Sequence, residues 1–208
     1  MKIPLLYQRT EYDCGPTTLL NALSVQFERE AISPELIKLI TSYATDHYGV
    51  GGEHGKGGTS RLAMMFISGW LNEYAEATGF PIATEYVSGG RDNASLGARL
   101  RTALTDGAVI VVRVMLGPDE HYILLTALDG ERLLAWDPYF TDYAFPDEPD
   151  IEKLADKPFL ANRRFPLARL LAPGNGVYGM VGGTSREAVI VYNKTTRRER
   201  AFEPEYMI

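Results

Sequence analysis

Apolar residues recur every three to four positions in three stretches near the start of the chain. This spacing predicts amphipathic helices over residues 14–27, 34–45 and 60–78. Ser33 is a favourable N-cap for the second helix, and the proline that follows it is tolerated in a first helical turn. Gly79 can adopt the left-handed conformation that ends many helices, so it marks the end of the third. The first part of the chain is therefore predicted to be helical.

Beyond about residue 80 the pattern changes to short runs of aliphatic and β-branched residues, which are typical of strands. The predicted strands are residues 82–87, 108–115, 121–128, 132–136, 177–181, 187–192 and 198–202. Helical spacing returns over residues 94–104 and 166–171, whereas the acidic stretch 142–156 is predicted to be a solvated loop. Helices followed by antiparallel strands are typical of an α+β fold. We expect one domain over residues 1–208, helical to about residue 80 and sheet-rich after it.

Composition and charge narrow the class of protein. The formal net charge is −6 at pH 7, which argues against a general nucleic-acid-binding surface. The longest apolar run, residues 108–116, is interrupted by Arg113 and is too short to span a bilayer. The apolar stretch at the N-terminus is too short for the hydrophobic region of a signal peptide. We therefore expect a cytoplasmic protein without a membrane span.

The single cysteine of the chain is Cys14, which excludes an internal disulfide and a zinc site built from several thiolates. It is either an inert buried thiol or a nucleophile, and its neighbours favour the nucleophile. Asp13 is a good N-cap, so Cys14 is predicted to begin a helix, where free N–H groups and the helix dipole stabilise a thiolate. Upstream, the side-chain amide of Gln8 could act with the Cys14 N–H to hold a developing oxyanion.

A cysteine nucleophile also needs a base, and the chain contains three histidines. His121 opens a predicted strand, Asp129-Gly130 is a strong hairpin-turn signal, and Asp137 ends the return strand just before a proline. A hairpin brings the start of its first strand beside the end of its second. We therefore expect His121 and Asp137 to lie close together, like the base and the orienting residue of a nucleophile triad.

The register of this hairpin decides whether the two side chains can meet. A two-residue Asp129-Gly130 loop would place His121 and Asp137 on opposite faces of the sheet. A bulged three-residue loop would pair Ile123 with Asp137 and make His121 and Asp137 diagonal neighbours on one face. A triad therefore requires the bulged loop, or an Asp137 that lies just past the regular strand.

The order glutamine, cysteine, histidine, aspartate resembles that of the papain-like cysteine peptidases. The segment from Gln8 to Gly15 most resembles the bacteriocin-processing peptidases, which remove double-glycine leader peptides. That family has a glutamine, four residues, an aspartate, then a cysteine and a glycine. The chain matches this motif at Gln8, Asp13, Cys14 and Gly15.

Two further features are similar to that family. Its histidine begins a strand and its aspartate precedes a proline, as His121 and Asp137 do here. It also carries a Gly-Thr-Ser step at the start of a helix, similar to residues 58–60. The resemblance covers about residues 5–140, and it implies a papain-like fold in which the nucleophile helix packs against a sheet that carries the histidine.

The resemblance implies hydrolysis of a peptide or amide bond in a peptide or protein substrate, without a metal or an organic cofactor. Cys14 would be the nucleophile, His121 its base, Asp137 the group that orients the base, and Gln8 an oxyanion donor. Another acyl transfer on the same triad, by a transglutaminase, deamidase or isopeptidase, is an alternative, because cleft shape sets the acceptor. A non-catalytic peptide-binding module is a further alternative, which the presence of all four residues argues against.

Compared with that family, the glycine-rich stretch 48–58 looks like an inserted segment. It differs from a phosphate-binding loop, because it lacks the first glycine and the final serine or threonine of that motif. His47 and His54 lie beside or within it, but a flexible setting does not favour a preformed metal site. We expect a surface loop that is either remote from the thiol or borders the cleft as a lid.

Overall fold

The computed structural model describes residues 1–88, 92–142, 145–172, 176–182 and 186–197. The helices are α1 (Cys14–Gln26), α2 (Pro34–Tyr43), α3 (Arg61–Thr78), α4 (Asn93–Thr105) and α5 (Leu167–Leu171). The strands are β1 (Ile82–Ser88), β2 (Val109–Leu116), β3 (Asp119–Asp129), β4 (Arg132–Trp136), β5 (Glu152–Lys157), β6 (Ala161–Pro166) and β7 (Glu187–Asn193). None of the helices in this described part combines the length and the apolar content needed to cross a membrane.

The strands form one antiparallel sheet with the order β1-β7-β2-β3-β4-β6-β5. Side chains alternate along β3 as the period of a strand requires. Tyr122 and Leu124 contribute to a core with α1, α2 and α3, whereas Ile123 and Leu125 contribute to a second core with α4 and α5. The sheet is therefore a central layer between two groups of helices. The predicted α+β class, with N-terminal helices packed on an antiparallel sheet, is confirmed.

The helix ends form for the reasons that the sequence indicates. The Ser33 hydroxyl accepts a hydrogen bond from the N–H of Leu36 at the start of α2 (3.3 Å). The Ser60 hydroxyl accepts one from the N–H of Ala63 at the start of α3 (2.9 Å). Gly79 follows α3 with a φ of 74°, in the left-handed region. The helices and strands predicted up to residue 136 are confirmed to within about two residues at each end.

The C-terminal third departs from the predictions in three places. The stretch 142–156, predicted to be a loop, runs into β5, which pairs with β6 at the edge of the sheet. The sequence predicts neither strand, because buried polar residues such as Asn162 and Arg163 obscure the strand periodicity. Residues 177–181, predicted to be a strand, form an isolated bridge to β2. The strand predicted at 198–202 lies outside the described residues.

Candidate active site

The hairpin between β3 and β4 contains a β-bulge that sets its register. At the turn, Asp129 pairs with Arg132, so the two-residue loop lies one position later than predicted. The pairing shifts by one residue at Thr126, and beyond this bulge Leu124 pairs with Trp136. Local sequence signals place the turn well but do not show the bulge, because it depends on how both strands pack into the sheet.

The same register, continued past β4, places Ile123 opposite Asp137, which is the arrangement that a triad requires. Asp137 is the first residue beyond the strand. His121 Nε2 lies 2.7 Å from Asp137 Oδ1. Both side chains are buried, with 5% of His121 and 1% of Asp137 exposed. The expected proximity is therefore found, although the extra residue lies within β3 instead of in the turn.

The carboxylate of Asp137 accepts two further hydrogen bonds. The Tyr178 hydroxyl donates to Oδ2 (2.6 Å), and the backbone N–H of Tyr139 donates to Oδ1 (2.8 Å). Burial by itself raises the pKa of this carboxyl, but the adjacent His121 and these donors outweigh it and hold the pKa of Asp137 below its usual range. Asp137 is therefore an anion at neutral pH, although it is almost completely enclosed.

The imidazole of His121 lies between this carboxylate and the Cys14 thiol. Burial lowers the pKa of His121, but the Asp137 carboxylate and a hydrogen bond with Cys14 raise it to about 10. His121 is therefore an imidazolium at neutral pH. Because Nε2 bonds to Asp137, Nδ1 is the ring nitrogen that is left for Cys14.

Cys14 is the first residue of α1, as predicted, and 7% of it is exposed. Asp13 occupies the N-cap position, but its side chain does not cap the helix. The carboxylate instead accepts bonds from the N–H groups of Arg9 (3.1 Å) and Thr10 (2.8 Å) and from the Thr10 hydroxyl. The preceding loop doubles back and offers these donors at closer range than the helix does. Asp13 therefore occupies the predicted N-cap position without the side-chain bond that usually goes with it, and its carboxylate closes the loop before the cysteine.

Gln8 lies just before Arg9, at the start of this loop. Its backbone N–H donates to the carbonyl of Pro138 (2.9 Å), which ties the N-terminal segment to the turn after Asp137. Its side-chain Nε2 donates to the carbonyl of Thr10 (2.8 Å). A primary amide has two N–H groups, so this bond fixes the amide and leaves the second N–H for another acceptor.

The Gly-Thr-Ser step contacts the start of α1. A Cβ atom added to Gly15 would lie 2.7 Å from Cβ of Thr59, so only glycine permits this approach. The carboxylate of Asp46 accepts bonds from the N–H (2.8 Å) and hydroxyl (2.5 Å) of Ser60 and so holds the same step from the other side. The segment before α3 is thereby packed against the residue that follows Cys14.

The glycine-rich loop forms a small hairpin of its own. Its ends are joined by a bond from the N–H of His47 to the carbonyl of Gly58 (3.3 Å), and Tyr48 forms a bridge with His54. A Cβ added to Gly58 would lie 3.8 Å from the carbonyl oxygen of Tyr12. The base of the loop therefore lies beside the segment that leads into Cys14. Across the described residues no group of three or more His, Cys, Asp or Glu side chains is arranged to hold a metal ion.

Several residues around the site carry no local signal in the sequence. Asn162 donates to the backbone carbonyl of Asp137 (2.9 Å) and accepts from its N–H (2.8 Å), and Tyr178 bonds to its carboxylate. Glu187, fully buried on β7, accepts hydrogen bonds from the hydroxyls of Tyr86 (2.6 Å) and Tyr122. Pairing of the C-terminal strands brings these side chains in, and the sequence pattern does not show that pairing.

No family model matches this chain, and no curated protein matches it either. Solved structures do match. The peptidase domain of Streptococcus ComA, a bifunctional ABC transporter involved in a quorum-sensing pathway, is 15% identical with a TM-score of 0.47. The match covers 91% of this chain and 96% of that one.

Two further structures match at similar levels. The peptidase domain of Streptococcus mutans ComA is 13% identical, with a TM-score of 0.39 over 91% of this chain and 98% of that one. A double glycine motif protease from an AMS/PCAT transporter, crystallised with the leader peptide, is 12% identical, with a TM-score of 0.45 over 92% of this chain and 90% of that one. The matches are to peptidases of the kind that the motif around Cys14 resembles.

Proposed function

We propose that this protein is a cysteine peptidase that hydrolyses an amide bond in a peptide or protein substrate. The observation that carries the proposal is the position of His121, bonded to the buried Asp137 carboxylate (2.7 Å) and near enough to the Cys14 thiol for the thiol to raise its pKa. A nucleophile, a base and an orienting anion in this order are what nucleophilic acyl transfer requires.

The proposed reaction begins with a Cys14 thiolate facing a His121 imidazolium, a state that the raised pKa of His121 supports. The thiolate attacks the scissile carbonyl carbon, and the carbonyl oxygen takes up the negative charge. His121 gives its proton to the departing amine as the C–N bond breaks, which leaves a thioester on Cys14. Neutral His121 then deprotonates a water molecule, which attacks the thioester, releases the acid and restores the ion pair.

The negative charge that develops on the carbonyl oxygen needs donors. The N–H of Cys14 lies in the first turn of α1, where backbone N–H groups have no partner within the helix. Because Asp13 turns its carboxylate away from α1, its side chain does not occupy these groups. We propose that the Cys14 N–H and the second N–H of the Gln8 amide bind the oxyanion together.

A peptide-library digest in ¹⁸O-labelled water, read by mass spectrometry, tests this function. Hydrolysis produces new carboxyl termini that carry the heavy oxygen, and Cys14→Ala should abolish them. Peptides with two glycines before the scissile bond should be included first, because the motif around Cys14 resembles that of double-glycine leader peptidases. A parallel digest with hydroxylamine detects acyl transfer to an amine. If hydroxamates form but no ¹⁸O-labelled acid does, acyl transfer would replace hydrolysis as the function. The absence of any Cys14-dependent product would reject both reactions.

A further inference from the structure

The phenol of Tyr178 lies between a buried anion and a buried cation. Its oxygen is 2.6 Å from Oδ2 of Asp137 and 3.2 Å from Nε of Arg163. Tyr178 has no exposed surface, and Arg163 and Asp137 are 2% and 1% exposed. A guanidinium can only donate, so the phenol oxygen accepts from Arg163. The Tyr178 proton is therefore directed at the carboxylate.

The remaining hydrogen bonds of Arg163 are to neutral oxygens. Nη1 donates to the carbonyl of Asn162 (2.9 Å), and Nη2 donates to the hydroxyl of Thr141 (2.8 Å). Among the described residues, none of the hydrogen bonds that Arg163 donates ends on a carboxylate. A buried charge is costly unless an opposite charge compensates for it. The anion to which Arg163 is linked, through one phenol, is Asp137.

The backbone at Tyr178 is held in an unfavourable conformation. Its φ is 62°, and it is the one non-glycine residue with a positive φ in the described part of the chain. It occupies the third position of a turn closed by a bond from the N–H of Gly179 to the carbonyl of Gly176 (2.8 Å). Glycine is favoured where a turn needs a positive φ at this position. A strained backbone conformation of a bulky residue persists where the surrounding contacts hold it in place, and such positions cluster at functional sites.

Two main-chain bonds hold the turn against β2. The N–H of Tyr178 donates to the carbonyl of Met115 (2.8 Å), and the N–H of Met115 donates to the carbonyl of Gly179 (2.9 Å). The turn is therefore fixed to β2, the strand next to β3, which carries His121. This attachment places the phenol at Oδ2 of Asp137, whereas the imidazole bonds to Oδ1.

We infer that Tyr178 and Arg163 are positioning residues for the Cys14–His121 pair, acting through Asp137. This inference rests on the proposed function, because it assigns the two residues a part in activating the same thiol. The Tyr178 hydroxyl, polarised by Arg163, holds Asp137 ionised and in place, and Asp137 in turn holds the imidazolium that faces Cys14.

The inference predicts a change in pH dependence. The titratable or charged groups around the Asp137 carboxylate are His121, Tyr178, Tyr139, whose ring lies 6.5 Å from that of His121, and, behind them, Cys14, Arg163 and the Tyr7 phenol near Asn162. Removal of the Tyr178 hydroxyl takes away a donor to the charged carboxylate, so Asp137 should bind a proton more readily. The acid side of the reactivity profile should then move to higher pH.

The test is the rate of Cys14 alkylation by iodoacetamide, measured on the whole protein from pH 4 to 9. In Tyr178→Phe the acid limb of the profile, where the alkylation rate falls as the pH is lowered, should move to higher pH by about one unit. Tyr192→Phe is the matched control, because Tyr192 is a buried tyrosine of the same hydrophobic core that makes no bond to Asp137 in the structure, and its profile should equal that of the parent. In an Asp137→Asn background, Tyr178→Phe should have no further effect. An unmoved limb in folded Tyr178→Phe, or additive effects in the double variant, would overturn the inference.

Two further measurements keep the outcome clear. If Tyr178→Phe does not fold, 3-fluorotyrosine placed at position 178 keeps the shape and strengthens the donor, so the acid limb should move to lower pH; no movement would overturn the inference. Peptide cleavage is measured on the same samples. A shifted acid limb of the alkylation profile without cleavage of any peptide would reject the proposed function and retain the positioning role. Peptide cleavage with an unmoved acid limb would support the proposed function and reject the positioning role.

Discussion

The side chain of Asn162 hydrogen-bonds to both the backbone N–H and the backbone carbonyl of Asp137. Its amide oxygen accepts from the backbone N–H of Asp137 (2.8 Å), and its amide nitrogen donates to the backbone carbonyl (2.9 Å). Asp137 lies just past the end of β4, so the regular ladder no longer fixes it there. The side chain of Asn162, on the neighbouring strand β6, replaces the missing ladder partner.

Asn162→Ala should therefore loosen Asp137 as well as destabilise the fold. Two buried hydrogen bonds are lost, and we expect about 2 kcal/mol less stability to urea unfolding. Asn72 offers a matched control, because its side chain makes the same two bonds (2.9 and 2.7 Å) to the backbone of Thr84, between α3 and β1. Asn72→Ala should cost a similar free energy but leave Cys14 alkylation of the folded protein unchanged. Equal alkylation in the two variants would contradict the role given to Asn162.

The proposed ion pair between Cys14 and His121 predicts that alkylation stays fast under mildly acidic conditions. We expect the parent protein to react with iodoacetamide at pH 6, because the proposed pair would hold a thiolate beside the His121 imidazolium. In His121→Ala the rate at pH 6 should fall at least about tenfold and recover as the pH rises. The parent protein unfolded in urea gives the reference for a thiol without neighbours. If His121→Ala and the parent had the same profile, the pair would not exist.

Stability should fall as the pH rises above neutrality. The pKa of His121 is raised to about 10 from an ordinary value of 6.5, so its contribution is complete below about 6.5 and is lost as the pH rises through 10. The pKa of Asp137 is lowered, so its contribution is present above its ordinary value and is lost in acid.

Urea unfolding of Cys14→Ala at pH 6, 8 and 10 checks the alkaline part of this dependence, because without the thiol the proton balance of the proposed Cys14–His121 pair does not offset the contribution of His121. We expect the free energy of unfolding to drop between pH 6 and 10 by at least about 1.4 kcal/mol, which corresponds to one pKa unit. In Asp137→Asn the drop should be much smaller, because the anion that raises the pKa of His121 is gone. A Cys14→Ala protein whose stability is flat over this range would show that Asp137 does not hold His121 as an imidazolium.

The contact between Gly15 and Thr59 predicts opposite effects for the same substitution at two glycines. Gly15→Ala would bring a Cβ to 2.7 Å from Cβ of Thr59, and we expect a loss of about 1–3 kcal/mol as the start of α3 is pushed away. Gly69, within α3, has nothing within 4 Å of an added Cβ, so Gly69→Ala should stabilise the protein by about 0.5–1 kcal/mol. Thermal melts measure both. A neutral Gly15→Ala would mean that Thr59 does not press on the start of α1.

The sequence predicts the parts of the site that local signals determine. The start of α1 places Cys14, and the turn signal at Asp129 and Gly130 brings His121 near Asp137. It does not predict the bulge at Thr126, which depends on packing along the whole hairpin. It places Asp13 correctly at the N-cap but does not show that donors in the preceding loop take up its carboxylate. Local patterns identify elements, but they do not resolve competition among partners for one side chain.

The supports of Asp137 are harder to predict, because they arrive from distant parts of the chain. Asn162 lies 25 positions after Asp137, and Tyr178 lies 41 positions after it. Tyr178 sits in a turn next to Gly179, where the pattern predicts a strand and the structure has a single bridge. The chemistry of the proposed nucleophile was visible in the sequence, but the residues that hold its orienting carboxylate depend on the order of strands in the sheet.

Gln8 should serve the transition state and contribute little to the fold. Its side chain bonds to Thr10 within the same loop, so its removal should barely change the melting temperature. Gln8→Ala should lower kcat of peptide cleavage by about 10²–10³ with little change in KM, as loss of one oxyanion donor does. Gln26→Ala is the control, because that amide joins α1 to the carbonyl of Gly107 (2.9 Å) and is buried. It should lower stability by about 1 kcal/mol and leave kcat unchanged. The reverse pattern, with Gln8→Ala unstable but fully active per folded molecule, would make Gln8 a structural residue and leave the Cys14 N–H as the proposed oxyanion donor.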